Sequence, residues 1–497
     1  MAKAVTASRA TAPAEPEASG AEEYAPEPPS HHLPPMGYAD MPEPLPLRKI
    51  LGPSVILAGL GVGSGEYIIW PYMASTVGLG FLWAAVLSVT VQYFLNMEIE
   101  RYTLATGETA VAGFVRFWKP WGVLFCLFTI LPNMWPGWGT SGVTIFTFLI
   151  GGGNVPLLTC GLLVAGGIAL TASPVVYQTL ERAQFFKVGL TLVFLAVAIA
   201  TAIGPSAWAE LPSIITQAGR LPDTNILPVS LVLSGLVFAG AGGVNNLAQS
   251  NWIRDKGFGM GAYVPRIVSP ITGEEVAAPA TGSMLRQDPE NLRRFQGWWA
   301  VANKEQLVSF WFICIFSITI FSTLAFSTLH GQAIAKEANL GFILTEGLAL
   351  KAAIGPWFGT FFWIFGALSL MLVSLGVLDY VSRIVADVIK TVYLTNSQRW
   401  SESRIYFIVV WSTVAAGSII LLSGINQPLL LLVIAACLNG MVMFVYSILL
   451  IQLNRRGLPP ALRVGGVRLG MLVFATLFYG YFAGWLVIVQ VRSYLGG

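Results

Sequence analysis

The chain has 497 residues, of which 55% are hydrophobic and only 11% charged, with a net charge of +3, whereas an ordinary soluble protein carries roughly a quarter of its residues as charges. That balance excludes a soluble globular enzyme and a disordered scaffold, and the lack of a basic run or recognition motif excludes nucleic acid as a partner. With a mean hydropathy of +0.69, the expected class is an all-α integral membrane protein whose partner is lipid.

In chain order, residues 1–50 come first and hold no apolar leader; they run through AEPEASGAEEYAPEPPSHHLPP, the composition of a disordered cytoplasmic tail. Apolar runs long enough to cross a bilayer then follow at 51–73, 77–98, 121–149, 155–172, 184–204, 227–251, 306–329, 356–379, 405–423, 428–451 and 469–490. With the N-terminus in the cytoplasm, every Lys and Arg except Arg220, Lys336, Lys351 and Arg492 falls on the cytoplasmic side. The short loops that the positive-inside rule counts agree, and an odd number of spans puts the C-terminus outside the plasma (inner) membrane. One hydrophilic segment, 254–304, is expected to be a compact cytoplasmic loop with a short hairpin, or a solvated linker. The four cysteines each fall in an apolar stretch without metal-ligand spacing and read as small core residues.

Two spans are poor continuous helices. The first reads LGPSVILAGLGVGSGEYIIWP, with Gly59, Gly61, Gly63 and Gly65 at its middle; the sixth reads SGLVFAGAGGVNNLAQSNW, with Gly240, Gly242 and Gly243. Glycine carries no side-chain penalty in unwound backbone, so both segments read as discontinuous helices. They lie five spans apart, the pattern of two inverted halves whose broken helices frame a binding site near the midplane. The repeats would be 51–204 and 227–451, with the helix at 469–490 outside them. The alternative is that the glycines serve close helix packing.

Glu66 is read as the one ionisable group deep in a span, roughly 22 Å along the first helix. A carboxylate there marks an ion, proton or substrate path, or else is a hydrogen-bonded group near the outer interface. Ser64 beside it, and Asn245, Asn246, Gln249 and Ser250 of the sixth span, would complete a polar site or bond helix to helix. Asn133 and Asn439 are weaker candidates. Asp379, Arg383 and Asp387 repeat every four residues at the end of the eighth span, as a salt-bridged gate or a structural ladder.

Several motifs resemble the Nramp family of divalent-metal transporters. Gly52 and Pro53 match the family's opening Gly-Pro; Arg101 followed by Ala105, Thr106 and Gly107 is similar to its segment after the second span; Tyr177, Leu180 and Glu181 resemble the start of its fifth. The resemblance implies a LeuT-type inverted repeat of five plus five helices with an eleventh, the first and sixth discontinuous. It places the family's metal-binding positions on Gly63, Ser64, Gly65 and Glu66, and on Gly243, Val244, Asn245 and Asn246. The ligand Asp and the thioether are missing, which leaves Glu66, Asn245 and Asn246 as the metal-ligand candidates and Gly63, Ser64, Gly240, Gly243 and Gln249 around them. Oxygen ligands of this kind suit Mg²⁺ or Mn²⁺ ahead of Fe²⁺.

The leading expectation is a secondary transporter of a divalent cation. A small organic solute facing Glu66 is the alternative on the same fold, and a non-transporting membrane sensor a third. Proton or sodium coupling, oligomeric state and the role of the 254–304 loop stay open. No cofactor is expected. No phosphate-binding loop, HExxH or GxSxG occurs, so no enzyme chemistry is indicated.

Overall fold

A backbone inside lipid must satisfy its own polar groups, so the apolar runs of this chain fold as helices. The computed structural model describes residues 32–46, 51–172, 176–264, 267, 281–332, 340–395, 397 and 399–495. Among the described residues, eight helices are long and apolar enough to cross a membrane: Leu79–Thr106, Val155–Ala172, Val176–Thr201, Pro289–Leu329, Pro356–Tyr393, Glu402–Leu422, Pro428–Arg456 and Gly466–Arg492. The other three expected spans are present as pairs of shorter helices.

The first span is α1 (Pro53–Gly61), a break at Val62–Gly63–Ser64, a π-helical turn (Gly65–Ile69) and α2 (Trp70–Val77). After α3 (Leu82–Thr106) and the connector α4 (Ala110–Phe117), the third span is also split, into α5 (Trp121–Asn133) and α6 (Gly137–Ile150). That break was not expected from the 121–149 run. It falls at Met134–Trp135–Pro136, where the ring of Pro136 removes a backbone donor and stops the helix. Next come α7 (Val155–Ala172), α8 (Val176–Thr201) and the short helices α9 (Pro205–Glu210) and α10 (Ser213–Thr216). The sixth span is α11 (Val229–Val237) and α12 (Val244–Lys256), separated by residues 238–243.

The second half continues with α13 (Pro289–Gln306), a π-helical turn (Leu307–Phe312) and α14 (Ile313–Leu329), then α15 (Gly341–Ala353) and the long α16 (Pro356–Val388). The chain closes with α17 (Glu402–Leu422), α18 (Pro428–Arg456) and α19 (Gly466–Leu495). In space, α16 packs against α6, α17 and α8; α18 packs against α19, α11 and α6; and α1 packs against α8 and α12. The two breaks therefore meet at the centre, with α3, α6 and α16 beside them.

Two expectations at the basic-loop face need correction. The tail was read as disordered over 1–50, yet within its described part β1 (Gly37–Ala39) pairs in parallel with β2 (Ser283–Leu285), Gly37 opposite Ser283. Leu33, Met36 and Met41 are buried, and Met41 donates its N–H to Oδ1 of Asn291 at 2.6 Å. Apolar anchors spaced through the Pro-rich stretch account for the order. The loop expected over 254–304 is shorter, because α12 runs on to Lys256 and α13 starts at Pro289; its strand pairs with the tail and not in a hairpin. Residues 268–280, the middle of that loop, lie outside the described residues.

Candidate functional site

The unwound residues 238–243 bend through three glycines in the left-handed region: Gly240 (φ 90°), Gly242 (φ 40°) and Gly243 (φ 84°). The two breaks also touch. A Cβ on Gly65 would sit 1.6 Å from the carbonyl oxygen of Phe238, so only glycine fits there.

Breaking two helices in an apolar interior frees backbone groups that must find partners. Named side chains supply them. Gln92, on α3, donates Nε2 to the carbonyls of Val237 (3.1 Å) and Ala239 (2.7 Å) and accepts the N–H of Gly242 (2.8 Å). Ser369 donates to the carbonyl of Val62 at 2.9 Å. Asn439 Oδ1 accepts the N–H of Val244 at 3.2 Å, capping α12, while its Nδ2 donates to Asn133 Oδ1, which also accepts the hydroxyl of Tyr380 at 2.6 Å. Asn133 and Asn439 thus tie the third, eighth, tenth and sixth spans together.

Glu66 is fully buried, and its carboxylate bridges the breaks: Oε2 accepts the N–H of Gly63 at 3.4 Å and Oε1 that of Gly240 at 3.3 Å. It is not alone. Lys187 of α8 is 1% exposed, donates Nζ to the carbonyl of Gly59 at 2.5 Å, and attracts Glu66 electrostatically; the thiol of Cys314 faces the same carboxylate. Lys187 lies three residues inside the expected fifth span, where it had been counted with the cytoplasmic cations. The signal was available: spacing it four and eight residues before Thr191 and Leu195, both buried, puts it on the inward face of the helix. The interior also holds Glu98, Glu100, Glu305 and Glu346, each at most 2% exposed, so Glu66 is not the one deep carboxylate.

A narrow cleft lies between the breaks, walled by the rings of Trp138, Phe238 and Tyr380 and carrying Ser64, Asn245 and the backbone of Gly240–Ala241–Gly242. Trp138 Nε1 donates to Ser64 Oγ at 3.0 Å. Asn245 donates to the carbonyl of Ala241, and its buried Oδ1 is unpartnered. A second narrow cleft, at the break of the third span, shares Trp138 and Val377 with it.

The expected metal set does not assemble. Asn245 lines the cleft; Glu66 lies behind it between backbone N–H groups and Lys187; Asn246 turns away, donating to Asn96 Oδ1 at 2.6 Å. Gly63 and Gly243 pack against Val373 and Asn439, and Gln249 lies deeper, against Glu100 and Gln306. Among the described residues no group of three His, Cys, Asp or Glu side chains could hold a metal ion. A one-dimensional motif cannot show which side of an unwound segment each side chain takes, and here adjacent residues diverge.

Asp379, Arg383 and Asp387 belong to a buried charge network. Arg383 bonds both oxygens of Asp379 (2.9 and 3.1 Å) and pairs with Asp255 of α12; Arg254 pairs with Asp387 and, at 2.8 Å, with Glu402. Tyr406 and Trp252 donate to Asp379 as well. The network locks α12 to α16 and α17 beneath the cleft.

No protein-family model matches the chain, and no curated protein matches it. Solved structures do. Mutants of the manganese transporter of Eremococcus coleocola superpose with TM-scores of 0.63 and 0.64 at 10% identity, covering 92% of this chain and 91% of that one. Mhp1, a nucleobase-cation-symport-1 family transporter in a closed conformation with bromovinylhydantoin bound, superposes with a TM-score of 0.51 at 12% identity, covering 90% of this chain and 95% of that one. At such identities the likeness is one of fold: the all-helical LeuT-type membrane fold.

Proposed function

We propose that this LeuT-fold secondary transporter carries a small polar organic solute in the cleft between its two helix breaks. The observation that carries the reading is the pairing around Glu66. Each of its oxygens already accepts a backbone N–H, and Lys187 is near enough to act on it electrostatically, so a divalent cation at Glu66 would compete with both donors and meet a basic side chain. The cleft itself brings no net charge. It offers one open acceptor, Asn245 Oδ1, the Ser64 hydroxyl and three aromatic rings, which suits a solute with a hydrogen-bond donor and a flat or apolar body.

The divalent-cation reading, Mg²⁺ or Mn²⁺, keeps one specific support, the fold shared with a manganese transporter. Uptake into proteoliposomes separates the two. Hydantoins, nucleobases and amino acids would be screened beside Mn²⁺ and Mg²⁺, in wild type, Asn245→Leu and Glu66→Gln. Organic uptake lost in Asn245→Leu is expected. Mn²⁺ or Mg²⁺ uptake by wild type that disappears in Glu66→Gln would overturn the proposal in favour of the metal.

A further inference from the structure

The first turn of α1, the end of α3, the middle of α12 and the end of α13 meet in a buried polar cluster. Glu100, Gln249, Glu305 and Gln306 form it, each at most 1% exposed. Gln249 donates Nε2 to Oε2 of Glu100 at 3.4 Å and to Oε1 of Gln306 at 3.0 Å, and Ser54 Oγ contacts Glu305 and Gln306.

The two carboxylates are compensated differently. Glu305 accepts the N–H groups of Gly52 (3.3 Å) and Ser54 (3.2 Å), the free donors at the start of α1, whose helix dipole favours a negative charge there. Glu100 lacks such a partner among the described residues. It accepts the one long bond from Gln249, and the charge it feels is the like charge of Glu305. The ion pairs nearby, Arg101 with Glu98 and Lys256 with Glu181, engage other carboxylates. Unpartnered amide oxygens point to a missing occupant: Oε1 of Gln249 and, one turn along α12 on the same face, Oδ1 of Asn246. A buried carboxylate with no positive partner is strongly unfavourable, and buried polar atoms are normally satisfied.

We propose that the Glu100 carboxylate and Gln249 Oε1, with the Asn246 carbonyl oxygen one turn away, form a binding site for a single monovalent cation. With Glu305 met by α1, the cluster holds one uncompensated negative charge beside the neutral amide oxygens of Gln249 and Asn246. That matches one positive charge on a hard ion and not a soft or doubly charged one. Sodium and the proton share this chemistry. The titratable groups facing Glu100 are Glu305 and Tyr93, with Lys256 and Tyr177 acting on Glu305. A role for the ion in driving transport rests on the transporter reading above; its binding does not.

The test is radioactive sodium binding to the purified full-length protein in nanodiscs, choline replacing sodium at constant ionic strength, with infrared spectroscopy of protonated carboxyl groups on the same samples. The expected result is saturable binding of one sodium ion per chain, lost in Glu100→Gln, weakened about tenfold or more in Gln249→Leu, and unchanged in Asn245→Leu, which alters only the cleft. No sodium binding together with a carboxylic-acid band that Glu100→Gln removes would assign the charge to a proton and uphold the site. Sodium binding indifferent to Glu100→Gln and Gln249→Leu would overturn it. So would wild-type protein showing neither sodium binding nor a protonated carboxyl band, a result that needs no variant to fold.

Discussion

Replacing Gln92 by Leu tests whether the sixth-span break is held open by one side chain. The substitution nearly preserves volume, so its cost comes from polarity. It removes two donated bonds, to Val237 and Ala239, and one accepted from Gly242, all at a residue with no solvent exposure. Each buried backbone group left unpaired costs about 1–3 kcal/mol. Gly242 lines the adjacent cleft and Val237 and Ala239 do not, so the low half of that range applies to the Gly242 N–H alone, giving roughly 3–8 kcal/mol for the three groups. That is a large share of a typical folding stability of about 5–15 kcal/mol. The assay is thermal unfolding followed by intrinsic fluorescence, with hydrogen exchange of residues 238–243 as the local readout. A Leu variant that unfolds at the wild-type temperature, with unchanged exchange at the break, would refute the reasoning.

Gly65→Ala puts a methyl 1.6 Å from the Phe238 carbonyl oxygen and should abolish the monodisperse peak in fluorescence-detected gel filtration; Gly161→Ala, with nothing within 4 Å, should leave that peak intact. Arg383→Met leaves Asp379 and Asp255 without their shared partner, a loss of about 3–5 kcal/mol for a broken buried pair that should free α12 from α16. Cysteines placed along α12 would then label faster from the basic-loop face, and wild-type labelling rates would argue against a gate. In the connector between α3 and α4, burial pushes the Glu108 carboxyl up, but the paired guanidinium of Arg116 and the hydroxyl of Tyr102 outweigh it and hold it below the usual carboxylate range. A carboxyl lowered on folding contributes stability above its unfolded pKa of about 4.3 and loses it as pH falls through the folded value. The melting temperature should therefore fall below about pH 4, and Glu108→Gln, less stable throughout, should show a shallower acid limb.

Much of the architecture was legible without coordinates. Glycine positions announced both breaks, because only glycine tolerates the left-handed backbone at residues 240, 242 and 243. Apolar length announced the spans, because lipid leaves the backbone no alternative. The third break was less visible: Pro136 was in plain sight, but Pro is tolerated in membrane helices when neighbours re-satisfy the backbone, and a proline by itself does not say whether they will. The ordered part of the tail stayed hidden for a related reason, since its strand forms only against Ser283–Leu285, some 245 residues away.

The candidate site divides along the same line. Composition alone determined a membrane-embedded helical protein and drew attention to Glu66, since any carboxylate far inside an apolar run must be accounted for. What that carboxylate does was decided by the packing of α8 and the sixth-span break against α1. They bring the Lys187 ammonium and the Gly63 and Gly240 N–H groups to it, while Asn245 is turned into the cleft and Asn246 away from it. In an unwound segment no helical or strand period tells a reader where each side chain points, and a buried charge takes its meaning from partners far away in the chain. For those two reasons the residue types were written in the sequence, but their partnerships belong to the tertiary structure.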